Sequence, residues 1–475
     1  MQIRLHLSRR ALGYFIVFTG LPAIANTPSM SADTTRLQPS ASSPRYWQYR
    51  GEPVLLLGGT VADNCFQIPD LEAHLDLLAS VGGNYVRNTM GDRRDHGYEI
   101  NAFDKKGALF DLETWNESYW SKFADMLRWT AERRIFVQIE LWDRFDHSRE
   151  NWETDPFNPG NNVNYTHAES GLVAEYPNHP GSNEQPFFYT VPALQNNEIV
   201  LRYQRAFIDR VLSHSLAYDH VLYCMDNETS GDPTWSQYWA EYVREKARER
   251  GVVVELTEMW DRWNVRDGEH RSTFDRPELY TFIDISQNSW QTGQTNWDSA
   301  QWVRDYISHQ PRPINSTKIY GSDTHKQQGI TNEHAIQTFW RNLVGGFASS
   351  RFHRPPYGLG LSDLAQIHIR SARLFAEAFD LYRAEPDSQN GLLHGRADDE
   401  AYLTRVATEQ YAVYFPDGGS VGLDLGSDGA TYGVRWLNIE DSAWRDADPM
   451  ASDGVVDLTP PANGHWLVVL KRQDR

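Results

Sequence analysis

From residue 53 onward the chain alternates short apolar runs with longer stretches of helical period. The runs are PVLLLGG (53–59), NYVR (84–87), IFVQIE (135–140), HVLYCM (220–225), VVVEL (252–256), FIDIS (282–286), PINSTKIY (313–320) and GFASSRF (346–352). Between them, DLEAHLDLLASVG sets Leu71, Leu75 and Leu78 on one helical face, and LRYQRAFIDRVLSH spaces Leu201, Phe207, Ile208 and Leu212 for burial. Eight such runs, each followed by a helical pattern, predict an α/β fold of the (β/α)8 barrel type. A doubly wound open sheet is the alternative, but no glycine-rich phosphate loop follows any run. The fifth and sixth runs carry the weakest pattern. Residues 143–195 are polar, aromatic and without period. A loop of that length after a third strand is expected to lie over the barrel mouth and shape a cleft.

After about residue 385 the texture changes to short alternating strands, EAYLTRV, YAVYFP, SVGLDL, YGVRWLN and HWLVVLK, separated by DGG, SDG and PPANG turns. The barrel is therefore expected over 45–384 and a small antiparallel β-sandwich over 385–475. Structural support is the expected role of the sandwich, with sugar binding by Trp436 or Trp466 as the alternative. At the other end, Arg4, Arg9 and Arg10 precede an apolar stretch from Tyr14 to Ala25, and Ala23-Ile24-Ala25 is a small-residue cleavage pattern. Residues 1–25 read as an export signal, with Ser8-Arg9-Arg10-Ala11-Leu12 resembling a twin-arginine signal, and 26–44 as a Ser/Thr/Pro-rich linker. The apolar stretch is short and broken by Gly20 and Pro22, so it does not read as a membrane anchor. A periplasmic or secreted protein, without membrane insertion after signal cleavage, is the expectation.

Composition narrows the partners. The chain has 475 residues, 40% hydrophobic, and a formal charge of −19, which repels nucleic acid and anionic lipid. Aromatic residues make up 13%, with 17 Trp, enough to furnish flat platforms for sugar rings as well as a core. Two cysteines, Cys65 and Cys224, build no disulfide framework and read as small buried residues. His96, His147, His167 and His325 lie on separate loops without metal-ligand spacing, no GxSxG elbow is present, and the reading calls for no metal and no cofactor.

In a barrel the reactive groups stand at the C-terminal strand ends. Read there in turn are Asp63 and Asn64; Arg87, Asn88, Asp92, Arg93 and Arg94; Glu140, Trp142, Asp143 and Arg144; Asp226, Asn227 and Glu228. Then come Glu258, Trp260 and Asp261; Gln287, Asn288 and Trp290; Lys318, Tyr320, Asp323, His325 and Lys326; and Arg351, His353 and Arg354. This mixture suits a polyhydroxylated ligand. Arg351 and His353 face the same way along the last strand, and with Arg354 they form a basic cluster fitted to a carboxylate or sulfate.

Asn227-Glu228 at the end of a fourth strand resembles the acid/base signature of clan A glycoside hydrolases. A glutamate held protonated by burial can donate to a leaving glycosidic oxygen, and the preceding Asn would hold a sugar hydroxyl. The alternative is that Asp226 to Thr229 cap the following helix. RYWQYRGEPVLLLGG further resembles the opening of apiosidase-like glycoside hydrolases, and YAVYFPDG with YGVRWLN resembles the β-sandwich named as collagen-binding that often follows those barrels. The resemblance covers most of residues 45–472 and implies a secreted glycoside hydrolase acting on polysaccharide-derived oligosaccharides.

One departure matters. RPINSTKIYGSD has the shape of the family's seventh strand, but Lys318 stands where its nucleophilic Glu is expected. Three readings follow. The first is a hydrolase whose second carboxylate is Asp323, Glu258 or Asp143. The second is a lyase or dehydratase performing elimination on a uronic-acid sugar, with Lys318, Tyr320 or His325 as base. The third is a non-catalytic glycan-binding barrel. The expected catalytic set is Glu228, Lys318, Tyr320, Asp323 and His325. The expected substrate contacts are Asn227, Arg87, Trp142, Asp143, Glu258, Trp260, Arg351, His353 and Arg354.

Overall fold

The computed structural model describes residues 35–473, with Asp92, Arg94 and Asn390 excepted. The expected export signal and the first part of the expected linker lie outside the described residues. From the later part of that stretch, Gln38–Pro39 pairs antiparallel with Trp47–Tyr49, which continues through a hairpin into Glu52–Val54. Trp47 is fully buried, donates its indole N–H to Asn315 at 3.0 Å and meets Phe282 edge-on at 5.1 Å. The hairpin thus closes the lower end of the barrel with a single large side chain.

Eight strands follow: β1 (Leu56–Gly59), β2 (Tyr85–Thr89), β3 (Phe136–Asp143), β4 (Val221–Asn227), β5 (Leu256–Thr257), β6 (Ile283–Asp284), β7 (Ile314–Asn315) and β8 (Ser349–Phe352). Helices alternate with them: α1 (Leu71–Ser80), α2 (Glu117–Glu132), α3 (Glu198–Ser215), α4 (Pro233–Glu249), α5 (Gly268–Phe274), α6 (Gly293–Tyr306), α7 (Asn332–Val344) and α8 (Asp363–Ala378). Parallel pairing runs β5-β4-β3-β2-β1-β8, and β6 pairs with β7. Closure comes from Thr281 N–H to Leu256 O at 3.0 Å on one side, and from Ala348 N–H to Ile314 O at 2.9 Å on the other. The cylinder is the expected (β/α)8 barrel. Strands β1 to β4 and β8 are buried at every position, which is why they read as continuous apolar or small-residue runs. Among the described residues no helix is long and apolar enough to cross a membrane.

The C-terminal strands form two antiparallel sheets. One is ordered β9 (Glu385–Pro386), β11 (Tyr402–Val406), β12 (Gln410–Phe415), β17 (Trp466–Arg472), β14 (Thr431–Asn438) and β15 (Ala443–Ala451). The other joins β10 (Leu393–His394), β13 (Val421–Asp424) and β16 (Val455–Leu458). Alternation along β12 explains how this β-sandwich is held. Tyr411, Val413 and Phe415 face the second sheet, whereas Ala412 and Tyr414 join the core of the barrel. Tyr414 stacks on Trp340 of α7 at 5.9 Å, and Ser371 of α8 donates to Ile439 O at 2.6 Å. Trp436 and Trp466 belong to the sandwich core and are only 5% and 2% exposed, so neither offers the sugar platform considered for them. Cys65 and Cys224 are buried free thiols.

Candidate active site

The C-terminal rim of the barrel opens into a cleft of about 510 Å³. Its lining includes Asn227 and Glu228 after β4, Asp261 and Trp263 after β5, Gln287 and Trp290 after β6, and Lys318 and Tyr320 after β7. The opposite wall is Asp63, Arg93, Asp95, His353, Arg354 and Tyr357, and the long loop after β3 adds Phe145, Arg149, Glu150, Asn151 and His179. That loop is held by its own polar side chains. The Asn158, Asn161 and Asn162 amides each donate to backbone carbonyls, and Thr166 with Glu169 forms a capping box.

Strand β4 ends at Asn227, and Glu228 takes a left-handed backbone at φ 47°, a region that non-glycine residues rarely occupy. Thr229 N–H to Met259 O and Asp261 N–H to Thr229 O, both 2.8 Å, fix this turn against the neighbouring strand end. The following helix is capped by Asp232, whose side chain accepts from Thr234 N–H, so the capping alternative for Asp226 to Thr229 falls away. Asp226 instead binds Arg144 at 2.7 Å.

Three donors converge on one oxygen of Glu228. Lys318 Nζ and Gln287 Nε2 each lie 2.5 Å from Oε1, and the Tyr320 hydroxyl donates to the same atom. Lys318 also donates to Asn227 Oδ1 at 3.1 Å, and Asn227 Nδ2 donates to Asp143 Oδ2 at 2.9 Å. Burial pushes the Glu228 carboxyl up, but the Lys318 ammonium and the Lys318 and Tyr320 hydrogen bonds outweigh it and hold the carboxyl below its usual range. Asp261 faces the opposite balance. Burial first, then the Glu228 charge, push its carboxyl up to about 7, against weaker opposition from Lys318. These two carboxyls of the cleft, Glu228 and Asp261, therefore sit in environments that drive their protonation apart.

The other wall is an ion-pair lattice. Asp63 is bound by Arg87, by Arg354 at 2.5 Å and by Arg93 at 3.5 Å. Arg93 reaches Asp146 at 3.0 Å and Asp143 at 3.1 Å, and Arg354 reaches Asp95 at 2.9 Å. Burial opposes ionisation of Asp63, but Arg354 and Arg87 keep its carboxyl well below the usual range. Arg87 is fully buried beneath the cleft, with Glu140 as its second partner at 2.6 Å.

Several expected residues do not reach the cleft, for reasons of strand geometry. Trp142 alternates with Asp143 and points outward, into rings of Trp239 at 5.3 Å and Phe187 at 5.6 Å. Glu258 and Trp260 likewise share an outward face. The Glu258 carboxyl lies beside Asp226 and is pushed well up by burial and that neighbour, and Trp260 donates to Thr273 at 2.7 Å. The residue between outward positions and the rim, Asp261, is the one that faces Glu228. Arg351 faces inward like His353 but lies one layer lower, fully buried, with its guanidinium on Thr317 O at 2.6 Å and on Thr60. Asp323 and His325 sit on an exposed loop. Asp323 Oδ1 accepts from the α7 start at Asn332 N–H, and His325 meets the Tyr357 ring edge-on at 4.7 Å. Asp92 and Arg94 lie outside the described residues.

Two strand-end aromatics, Trp290 and Tyr320, form an aromatic ladder in the cleft with Trp263, which the strand ends did not point to. Trp263, 44% exposed, stacks on Trp290 at 5.4 Å, and Trp290 stacks on Tyr320 at 4.3 Å. The ladder runs from solvent to the hydroxyl that holds Glu228. For Trp263 itself the sequence signal was its place two residues beyond the strand-end Asp261.

No family model matches the sequence, and no curated protein matches it. Solved structures do share its architecture. One, described as a glycoside hydrolase, is 14% identical and covers 92% of this chain and 97% of its own at a TM-score of 0.62. A glycoside hydrolase family 5 protein from Bacteroides vulgatus ATCC 8482 is 14% identical, covering 92% of this chain and 94% of its own at 0.63. A noncanonic maltogenic alpha-amylase from Thermotoga neapolitana is 10% identical, covering 88% and 99% at 0.51. At these identities the likeness is one of fold, and it does not single out the apiosidase-like group.

Proposed function

We propose that the chain is a glycoside hydrolase acting on polysaccharide-derived oligosaccharides. The observation that carries this is the Glu228–Asp261 pair in a single cleft, one carboxyl held below its usual range by Lys318 and the other raised to about 7. In this reading Asp261 donates its proton to the leaving glycosidic oxygen. Glu228, with Oε1 committed to three donors, presents Oε2 as base toward water or as nucleophile toward the anomeric carbon. Lys318 does not replace the expected nucleophile. Its ammonium keeps Glu228 charged, which reverses the role of acid expected for Glu228. Asn227, anchored between Lys318 and Asp143, remains placed for a sugar hydroxyl, and the Trp263–Trp290 ladder supplies the ring platform.

The elimination alternative loses the bases assigned to it. Lys318 is tied to Glu228, the Tyr320 hydroxyl donates to the same carboxylate and is pushed well up by burial, and His325 stands on the exposed loop. A barrel that only bound glycans would have no use for two carboxyls of split protonation. Export, which the N-terminal pattern supports, would place the enzyme where such oligosaccharides arise.

The test is a product assay on a panel of polysaccharide-derived oligosaccharides. New reducing ends, absent with Glu228→Gln, are expected, and the anomer released first reports whether Glu228 serves as nucleophile or base. An ultraviolet-absorbing unsaturated product without net water addition would replace hydrolysis by elimination.

A further inference from the structure

We propose that Arg149 and His179, both carried by the long loop after β3, form a subsite beside Glu228 for an acidic substituent of the sugar, a carboxylate or a sulfate ester. The inference rests on the glycosidase reading of the cleft and deepens it.

The argument starts from the cations of the cleft. Lys318 is paired with Glu228, Arg93 with Asp63, Asp143 and Asp146, and Arg354 with Asp63 and Asp95. Among the described residues lining the cleft, Arg149 is the arginine that makes no ion pair. Its Nε is buried and has no hydrogen-bond partner. The guanidinium carbon lies 5.8 Å from the Phe145 ring, whose other neighbour is the His179 ring, edge-on at 5.4 Å. His179 Nδ1 accepts from Gly181 N–H at 3.0 Å, so the neutral ring carries its proton on Nε2 as a donor. Burial, followed by the Arg149 charge, lowers the His179 pKa and favours that neutral form.

The Nε of this half-buried guanidinium is withdrawn from water without an acceptor, a cost that an arriving oxyanion reverses. The planar fork of arginine fits a carboxylate or sulfate in bidentate fashion, and the imidazole N–H supplies a third donor. This is a different location from the basic cluster expected on β8, where Arg354 is paired with Asp63 and Asp95 and Arg351 lies below the cleft on Thr317 and Thr60. Glu150 lines the same cleft but is exposed and makes no ion pair with Arg149.

The experiment measures equilibrium binding by the full-length Glu228→Gln protein, which leaves ligands intact. The probes are uronate-containing oligosaccharides with their carboxyl-reduced twins, and sulfated oligosaccharides with their desulfated twins. The expected result is one class of acidic probe binding at least tenfold more tightly than its neutral twin. Arg149→Gln in the same background should abolish that preference and leave the neutral twin within about twofold, with Arg149→Lys restoring part of it. The carboxylate and sulfate arms identify the substituent. No acidic preference anywhere in the panel, or equal weakening of both twins by Arg149→Gln, overturns the subsite. Reducing-end release that depends on Glu228 would still stand in that case, so failure here does not carry the hydrolase reading with it.

Discussion

The two walls of the cleft hold similar side chains in opposite states. On the β8–β1–β2 side, one carboxylate, Asp63, is shared by three arginines, and each of those reaches another carboxylate. Asp63 is thereby held ionised far below neutral pH. On the β4–β5–β7 side, two carboxylates face one ammonium, and burial together with the Glu228 charge leaves Asp261 holding a proton up to about 7. Guanidiniums bonded directly to Asp63 keep it ionised, whereas Asp261, buried beside the Glu228 charge and in no ion pair among the described residues, is left to hold a proton. That difference, rather than the number of acids on either side, locates the chemistry.

The largest break in the comparison is expected from Glu228→Gln. Loss of the ionised carboxylate should lower kcat by roughly a thousandfold or more. Gln keeps an oxygen for Lys318, and Asn227 still accepts from it, but the ammonium loses its buried counter-charge, so a lower melting temperature is expected beside the loss of turnover, with the fold retained. Unimpaired turnover in this variant would return both walls to structural status. Asp63→Asn should weigh mainly on stability. Arg87 and Arg354 would lose a buried counter-charge, at a cost of about 3 kcal/mol in denaturant unfolding near neutral pH. Because the folded Asp63 pKa lies well below its unfolded value, its contribution is present above about pH 4 and is lost as pH falls through the folded value. The gap between wild type and Asp63→Asn should therefore close only in acid. A gap that narrowed toward pH 8 instead would contradict the lattice.

Asp261→Asn tests the raised carboxyl itself. The proton-donating form of Asp261 is present below its raised pKa, so wild-type kcat should fall as pH rises through about 7. Glu228, held low, places the acid limb below the ordinary carboxylate range. Asn should cost roughly a hundredfold on substrates with poor leaving groups, and much less on aryl glycosides that need no acid. The decline near pH 7 should vanish with it. A basic limb retained in Asp261→Asn would assign the donor elsewhere.

How much of this was visible in the chain follows from which distances are local. Strands β1 to β4 were legible because doubly buried strands read as apolar runs. Strands β5, β6 and β7 were faint because only two residues of each pair as strand, and side chains take over some backbone bonding, as in Leu256 N–H to Thr281 Oγ1 at 3.0 Å. Strand ends gave the order of rim groups but neither their facing nor their depth. Trp142 beside Asp143, Trp260 beside Asp261, and Arg351 two positions below His353 all show a one- or two-residue difference deciding between core and cleft. The exchange of Glu for Lys318 was plain in the sequence. Its consequence was not, because the partner that gives it meaning, Glu228, lies 90 positions away and meets it only across the closed barrel.

The smallest expected effect concerns the ladder that leads into the reactive wall. Trp263 is 44% exposed and touches the rest of the cleft mainly through its stack on Trp290, so Trp263→Ala removes little buried surface. Stability should stay within about 0.5 kcal/mol of wild type, as for other surface substitutions away from buried features. What the indole offers is a flat apolar face for a sugar ring, remote from the reacting bond. Binding made equally in ground and transition states appears in KM and not in kcat. The variant should therefore raise KM by roughly five- to tenfold with kcat nearly unchanged, in line with the 1–2 kcal/mol typical of a lost aromatic contact. A fall in kcat at constant KM would mean that Trp263 acts through Trp290 and Tyr320 on Glu228, making the ladder part of the wall that holds the charge instead of the approach to it.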